Sequence, residues 1–324
     1  METNKIVELA GRIRTNISKV IVGKEDIIDL MLVSLFSKGH VLLEDVPGTG
    51  KTMMAKCLSK SISCQFTRVQ FTPDLLPSDL TGLNVYSQKT GDFSFKSGPI
   101  FTNILLADEI NRATPRTQSS LLECMEEYQV TIDGMTRKLT PPFFVVATQN
   151  PLETQDTFRL PEPQMDRFFM RLKNGYPTIE EGKRILDRNE HTNPFEDLES
   201  ITNGEEINEI SAEISKNVKV NDTVKQYILE IVEKTRSSEQ IIGGTSPRAS
   251  IAIMRGVQAY AAIKGRDYAI PDDVKDLAVH CLSHRIMVKG FSAFGKTETQ
   301  ERIIQEILDS VPVPTEKIDT TEMI

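Results

Sequence analysis

The sequence predicts an α/β fold with a parallel sheet in its first part, followed by an all-helical domain. Short apolar runs alternate with segments of helical spacing, which is typical of βαβ units. A glycine-rich loop, of the kind that binds phosphate, separates the first apolar run from the next helical segment. After residue 206 the helical periodicity continues, but no strand pattern is visible.

Five short apolar runs are predicted to be the strands of the central sheet. The third and fourth are apolar almost throughout, as expected for parallel strands that are covered on both faces. Two helices are predicted before the first strand, at 4–19 and 24–37. The predicted strands are Val41–Leu43, Phe66–Phe71, Ile104–Ala107, Phe143–Ala147 and Phe168–Leu172.

Two β-hairpins are predicted to interrupt the alternating pattern. Residues 83–96 contain Thr90-Gly91-Asp92 between alternating residues, and residues 129–138 contain the strong turn signal Asp133-Gly134. These hairpins belong to a first domain predicted to cover residues 1–188.

The remaining chain is predicted to form a linker, a helical domain and a tail. Residues 189–206 are polar and carry Pro and Gly, so they are expected to be a linker. Ser246-Pro247 is typical of a helix start, with a cap followed by proline in the first turn. The helical domain is expected at 207–310, with a polar tail at 311–324. Its predicted helices are 206–216, 221–237, 246–264, 271–285 and 298–310.

Composition narrows the class of protein. The chain has 324 residues, 39% hydrophobic and 26% charged, and a net charge of −8. No apolar run approaches the ~18 residues that a membrane span needs, and the N-terminus lacks the apolar core of a signal peptide. The four cysteines show no metal-binding or disulfide spacing, which fits a reducing cytoplasm. The negative charge disfavours sequence-independent binding of nucleic acid.

The loop Gly48-Thr49-Gly50-Lys51-Thr52 follows an apolar strand and leads into helix-forming residues. Glycines let the backbone direct N–H groups at phosphate oxygens, and the helix N-terminus favours negative charge. We expect Lys51 to contact the β- and γ-phosphates of ATP, and Thr52 to bind Mg²⁺. Asp45 stands where the motif has its first glycine. The contacts to nucleotide are assigned to Gly48, Thr49, Gly50, Lys51, Thr52 and Met53.

Polar residues also follow the third and fourth predicted strands. Asp108 is expected to hold Mg²⁺, and Glu109 to act as general base or to position the attacking water. Asn150 is expected beside the γ-phosphate, because ligands bind at the carboxyl ends of parallel strands. The alternatives are an acidic turn after a strand for Asp108-Glu109, and a turn-forming Asn-Pro for Asn150.

The motifs taken together resemble those of the MoxR family of AAA+ ATPases, and the resemblance covers roughly residues 5–310. Three phrases are specific to that family: Gln70–Asp79, Asp108–Arg112 and Leu121–Glu127. Asp45 is a tolerated variant there. The ordered motifs that carry the resemblance are Gly48–Thr52, Asp108-Glu109, Asn150, Pro161–Phe168 and Thr245–Arg248.

The resemblance implies an αβα P-loop core with strand order 5-1-4-3-2, followed by an all-α lid. It implies a homo-oligomeric ring, expected to be a hexamer, with ATP between subunits. Arg167 then resembles the arginine finger that reaches a neighbour's γ-phosphate, with Arg112 as its rival. Arg248 resembles the second-sensor arginine, which contacts the phosphates of its own or a neighbouring site. Local alternatives are a surface pair with Asp166 for Arg167 and solvent contacts at a helix start for Arg248.

Further implications concern the adenine and the partners. Val22, in Val20–Gly23, resembles the segment that packs on adenine, although an apolar helix lead-in explains it as well. The two hairpins resemble inserts that face the axis of the ring. The family implies a chaperone-like ATPase acting on a protein client, often with a von Willebrand factor A domain protein. Two alternatives remain. One is a binding scaffold that is switched by nucleotide and hydrolyses ATP slowly, and the other is a DNA motor, which the negative net charge disfavours.

Overall fold

A five-stranded parallel sheet lies at the centre of the N-terminal part of the chain. The computed structural model describes residues 3–44, 46, 48–89, 91–150, 157–191, 193–289 and 296–314. Asp45, Thr90 and part of the predicted tail, 315–324, lie outside the described residues. The five strands of the sheet are β1 (Val41–Glu44), β2 (Phe66–Gln70), β5 (Ile104–Asp108), β8 (Phe144–Gln149) and β9 (Met170–Leu172).

The strands follow the spatial order β2-β5-β8-β1-β9 and all neighbours are parallel. If the five strands are numbered one to five along the chain, their spatial order is 2-3-4-1-5. This is the expected order 5-1-4-3-2 counted from the opposite edge of the sheet. The five predicted strands therefore correspond to the sheet, with ends that differ by at most two residues. Because the strands are parallel, the residues that follow β1, β5 and β8 lie at the same edge.

Alternate side chains of the strands enter two separate cores, as the period of a strand requires. On one face Leu43, Leu106 and Val146 pack with the first helices and the C-terminal domain. On the other face Leu105 and Val145 pack with a helix that follows the third strand. The helices of the N-terminal part are α1 (Thr3–Ser18), α2 (Glu25–Phe36), α3 (Lys51–Ser61), α4 (Pro77–Thr81), α5 (Pro115–Glu127), α6 (Glu162–Met165) and α7 (Ile179–Asn189).

Two antiparallel hairpins lie where the turn signals predict them. The first consists of β3 (Gly82–Ser87) and β4 (Asp92–Ser97), and the second of β6 (Gln129–Ile132) and β7 (Met135–Lys138). Asn84 Nδ2 donates to Asp133 Oδ2 at 2.6 Å, so the two hairpins touch each other.

The C-terminal domain is helical, as predicted, but it also contains a small antiparallel sheet. Strands β10 (Ile241–Gly243) and β11 (Met287–Val288) pair with each other. They have only three and two residues, which is too short for a periodic sequence signal, so the expectation of no strand here is corrected. The helices are α8 (Gly204–Asn217), α9 (Asp222–Ser237), α10 (Pro247–Ile263), α11 (Pro271–Leu282) and α12 (Lys296–Ser310).

A buried arginine fixes the helical domain to the sheet. Arg171 in β9 donates to Gln300 at 3.0 Å and to Ser283 at 3.1 Å, both in the helical domain. Its Nη1 also lies 3.5 Å from Glu44 Oε2 at the end of β1. Breaking a buried ion pair is costly, so Arg171 holds the domain at a defined position beside the first strand. Among the described residues, no helix combines the length and apolar character that crossing a membrane requires.

Candidate nucleotide-binding site

The glycine loop connects β1 to α3. Gly48 and Gly50 have φ of 84° and 85°, a backbone conformation that L side chains rarely adopt. Helix α3 begins directly after Gly50. Its first N–H groups therefore have no partner within the helix and point toward the glycine loop. Lys51 Nζ donates to Val46 O at 3.1 Å, and Thr49 Oγ1 donates to the same oxygen at 3.3 Å. The loop thus has the curled backbone that a phosphate-binding site needs.

The end of β5 carries the two acidic residues singled out in the sequence. Thr148 in β8 joins them, because its hydroxyl donates to Asp108 Oδ1 at 2.6 Å and accepts from the Glu109 N–H at 2.8 Å. Glu109 has a φ of 55°, a left-handed conformation that is uncommon for a residue other than glycine. Such backbone strain is typical of functional sites, and here it turns the chain sharply after the strand.

Both carboxylates are also engaged by residues from outside β5. Arg68 donates to Asp108 Oδ2 through Nε at 3.0 Å and through Nη2 at 2.6 Å. Gln70 Nε2 donates to Glu109 Oε2 at 2.6 Å, and Arg112 Nη1 lies 3.2 Å from the same oxygen. These partners come from β2, which neighbours β5, and from the turn after β5.

A cavity of about 450 Å³ lies between the glycine loop and the acidic strand end. This volume lies within the range of ~300–1,000 Å³ common for small-molecule sites. Thr52 and Asp108 both line it and offer the oxygen ligands that Mg²⁺ prefers. The lining therefore fits a magnesium nucleotide. The lining residues are Gly48, Thr49, Gly50, Lys51, Thr52, Met53, Lys56, Arg68, Asp108, Glu109, Thr148 and Asn150.

The predicted adenine segment does not line this cavity. Val22 is buried, with an exposed fraction of 5%. The neighbouring Gly23 is covered by helix α7, since a Cβ placed on Gly23 would lie 1.8 Å from Glu181 Oε1. Contact of Val22 with adenine therefore stays a prediction.

Arg167 and Arg248 lie together in a second cavity, of about 190 Å³, whose described lining shares no residue with the first. Both contact the carboxylate of Glu126 at the end of α5. Arg167 Nε lies 3.2 Å from Glu126 Oε2, and Arg248 Nη2 pairs with Glu126 Oε1. The side chains of Arg167 and Arg248 are partly exposed, at 31% and 47%. The structure thus brings the two arginines to each other rather than to the glycine loop of their own chain.

Local partners other than those expected hold the residues around this second cavity. Asp166, suggested as a surface partner of Arg167, instead lies 3.3 Å from Nε of the buried Arg285 and accepts from Ser246 Oγ at 3.0 Å. Arg112, the rival finger, is paired with Glu109 of its own chain. The geometry therefore separates Arg112, which contacts Glu109 of the nucleotide cavity, from Arg167, which lines the second cavity.

Sequence reasoning assigned no role to four residues that the site uses: Arg68, Gln70, Glu126 and Thr148. Arg68 and Gln70 are two residues apart near the end of β2, and Thr148 occupies the corresponding place in β8. The expected strand order puts β2 and β8 on either side of β5. Polar residues near the ends of these neighbouring strands were thus the available signal for Arg68, Gln70 and Thr148. Glu126 lies in the family-specific phrase Leu121–Glu127, which was the signal available for it.

Comparisons with known proteins define the class. The chain matches the model of the ATPase family associated with various cellular activities (AAA) over residues 40–170, and the AAA lid domain over residues 233–307. A crystal structure of a putative ATPase from Cytophaga hutchinsonii has a TM-score of 0.87 to this chain and 37% identity, covering 97% of each. Together with the glycine loop and the acidic strand end, these matches identify an AAA+ ATPase with its lid.

Two relatives narrow the class further. The chain is 50% identical to the uncharacterized protein YeaC of Bacillus subtilis, over 95% of this chain and 96% of the relative. It is 38% identical to chaperone MoxR1 of Mycobacterium tuberculosis, over 92% of this chain and 80% of the relative. The chain belongs to the MoxR family of AAA+ ATPases, which confirms the resemblance found in the sequence.

Proposed function

We propose that the protein hydrolyses ATP to ADP and phosphate with Mg²⁺ in the cavity beside the glycine loop. The observation that carries this proposal is that Lys51, Asp108 and Glu109 line one cavity although they come from two different strand ends. Lys51 would contact the β- and γ-phosphates, while Thr52 and Asp108 would hold the metal ion, which neutralises charge on the phosphates when bound. Glu109 and Asn150 would orient the attacking water.

We further propose that the active form is a ring, expected to be a hexamer, in which Arg167 and Arg248 serve the neighbour's nucleotide. Their position away from their own glycine loop supports a role in trans. Arginine suits this role because its planar, permanently charged group spreads over phosphate oxygens. Hydrolysis then depends on assembly, since each site is completed by the next subunit.

The cycle is proposed to drive chaperone-like remodelling or maturation of a protein complex in the cytoplasm. The name of the chaperone relative supports this class of function. The family resemblance suggests a von Willebrand factor A domain protein as the partner. The paired hairpins, with the exposed side chains of Tyr86, Phe93 and Met135, offer apolar surface for a protein client.

A slower, nucleotide-switched scaffold is the second candidate, and one observation favours it. Glu109 is held by Gln70 and Arg112, both on Oε2. These contacts engage one of the two oxygens of the carboxylate that would activate water, so turnover without a client would be slow. Measuring ATP turnover with and without a co-purified partner separates the two candidates.

The test of the ATPase proposal is Glu109→Gln. It keeps the shape of the side chain and removes its charge, so ATP should still bind while hydrolysis falls by about 10² or more, as for loss of a general base. ATP binding is measured with a fluorescent analogue and hydrolysis by phosphate release. The control is Glu239→Gln, which removes an exposed carboxylate of the lid. Wild-type turnover in Glu109→Gln would contradict the catalytic assignment.

A further inference from the structure

The carboxylate of Asp108, which is proposed to hold Mg²⁺, is paired with Arg68 of the same chain. Both oxygens of this carboxylate accept hydrogen bonds: Oδ1 from Thr148, and Oδ2 from two nitrogens of Arg68. The Arg68 side chain is about half exposed, at 48%, whereas the Asp108 side chain is 14% exposed. Arg68 and Asp108 both line the nucleotide cavity, so their ion pair lies at the wall of that cavity.

A continuous set of hydrogen bonds connects Arg68 to the second carboxylate. Arg68 Nη2, which contacts Asp108, also donates to Gln70 Oε1 at 2.9 Å. The amide nitrogen of the same Gln70 donates to Glu109 Oε2 at 2.6 Å. The carbonyl and the amino group of one amide are therefore both used, and moving Arg68 changes the support of Gln70 on Glu109.

We infer that Arg68 is a positioning residue that competes with a bound cation for the carboxylate of Asp108. Binding of a cation at Asp108 and the pair with Arg68 compete for Oδ2. Arg68 therefore weakens cation binding, and its release is transmitted through Gln70 to Glu109. This inference rests on the proposed function, because it concerns the same ATP site.

The expected effect of Arg68 on cation binding follows from how exposed its ion pair with Asp108 is. Ion pairs with a largely exposed partner are worth at most about 1 kcal/mol, which corresponds to a factor of about 5 in binding. Two nitrogens on one oxygen and the low exposure of Asp108 place this pair at the upper end of that range. Removing Arg68 should thus strengthen the coupling between Mg²⁺ and ATP about 5-fold.

The experiment measures the Kd of a fluorescent ATP analogue with Mg²⁺ and with EDTA. The Kd with EDTA divided by the Kd with Mg²⁺ measures the coupling between the cation and ATP. A contribution of Arg68 that is equal under both conditions cancels in this ratio. Arg68→Gln should raise this ratio about 5-fold, whereas Arg68→Lys, which keeps the charge but loses the two-nitrogen contact, should raise it less. The control is Lys56→Gln, which removes another cation from the lining of the same cavity.

An equal rise in Lys56→Gln would overturn the inference, because the effect would then be general electrostatics. An unchanged ratio in Arg68→Gln, with thermal unfolding like that of wild type, would also overturn it. In both of these cases the wild-type protein still binds ATP in a Mg²⁺-dependent manner, so the proposed function survives. If wild type binds no ATP under either condition, the proposed function and this inference both fail.

Discussion

The buried His40 makes the stability of the fold depend on pH, with a sign and size that follow from the structure. It lies just before β1 with an exposed fraction of 3%. Its Nδ1 accepts from the Val145 N–H at 3.0 Å, and its Nε2 donates to Met125 O at 2.9 Å, so the ring joins β8 to α5. Burial lowers the pKa of His40 to about 4, because the charged ring would lose its hydration and the bond from Val145.

The direction of the pH dependence follows from proton binding in the two states. In the unfolded chain the pKa of a histidine is about 6.5, so the unfolded state takes up a proton before the native state does. His40 therefore stabilises the fold fully above about pH 6.5, and this contribution is lost as the pH falls toward 4. Between pH 7.5 and pH 5.8 the loss is about 1 kcal/mol, and at pH 4 it reaches about 3 kcal/mol.

The assay is urea unfolding of wild type and His40→Gln at pH 7.5 and 5.8, both above the isoelectric point of 5.3. Burial also lowers the pKa of His284, so the difference between the two proteins isolates His40. The variant should lose stability at both pH values through packing, but its loss between them should be about 1 kcal/mol smaller. His191→Gln, at an exposed histidine, is the control. Parallel pH profiles of wild type and His40→Gln would refute the reasoning.

Two further predictions concern the phosphate-binding cations. Lys51→Ala should reduce ATP binding below detection, because the phosphates lose their main point charge; wild-type affinity in isothermal titration would refute this. Arg248→Ala should lower hydrolysis, because the residue lies away from its own loop and is proposed to contact the neighbour's nucleotide. The free energy of unfolding of this variant should fall by at most about 1 kcal/mol, the value of an exposed ion pair. A collapse of the fold would instead favour a structural role for Arg248.

Much of the fold and of the nucleotide cavity could be predicted from the sequence. The glycine loop and Asp108-Glu109 are local patterns, and each follows an apolar run that is recognisable as a buried strand. The turn signal Asp133-Gly134 likewise predicts its hairpin from adjacent residues alone. Local chemistry sets these features, so a single sequence is enough to find them.

Features that depend on distant parts of the chain could not be predicted. The expected strand order places Arg68 near Asp108, but the contact itself depends on which of several rotamers the side chain adopts. The shared contact of Arg167 and Arg248 with Glu126 depends on where the lid rests on the core. The pairing of β10 with β11 joins residues that are too few for a periodic signal.

The most direct test of a ring with arginines acting in trans is to mix two inactive subunits. Arg167→Ala and Glu109→Gln proteins should each be nearly inactive alone, because arginine fingers contribute on the order of 10³–10⁵ in rate. Mixed rings contain interfaces with an intact Glu109 on one subunit and an intact Arg167 on its neighbour, so ATP hydrolysis should reappear and fall on dilution. No recovery at any mixing ratio, with subunit exchange verified independently, would contradict the account, as would full activity of Arg167→Ala alone.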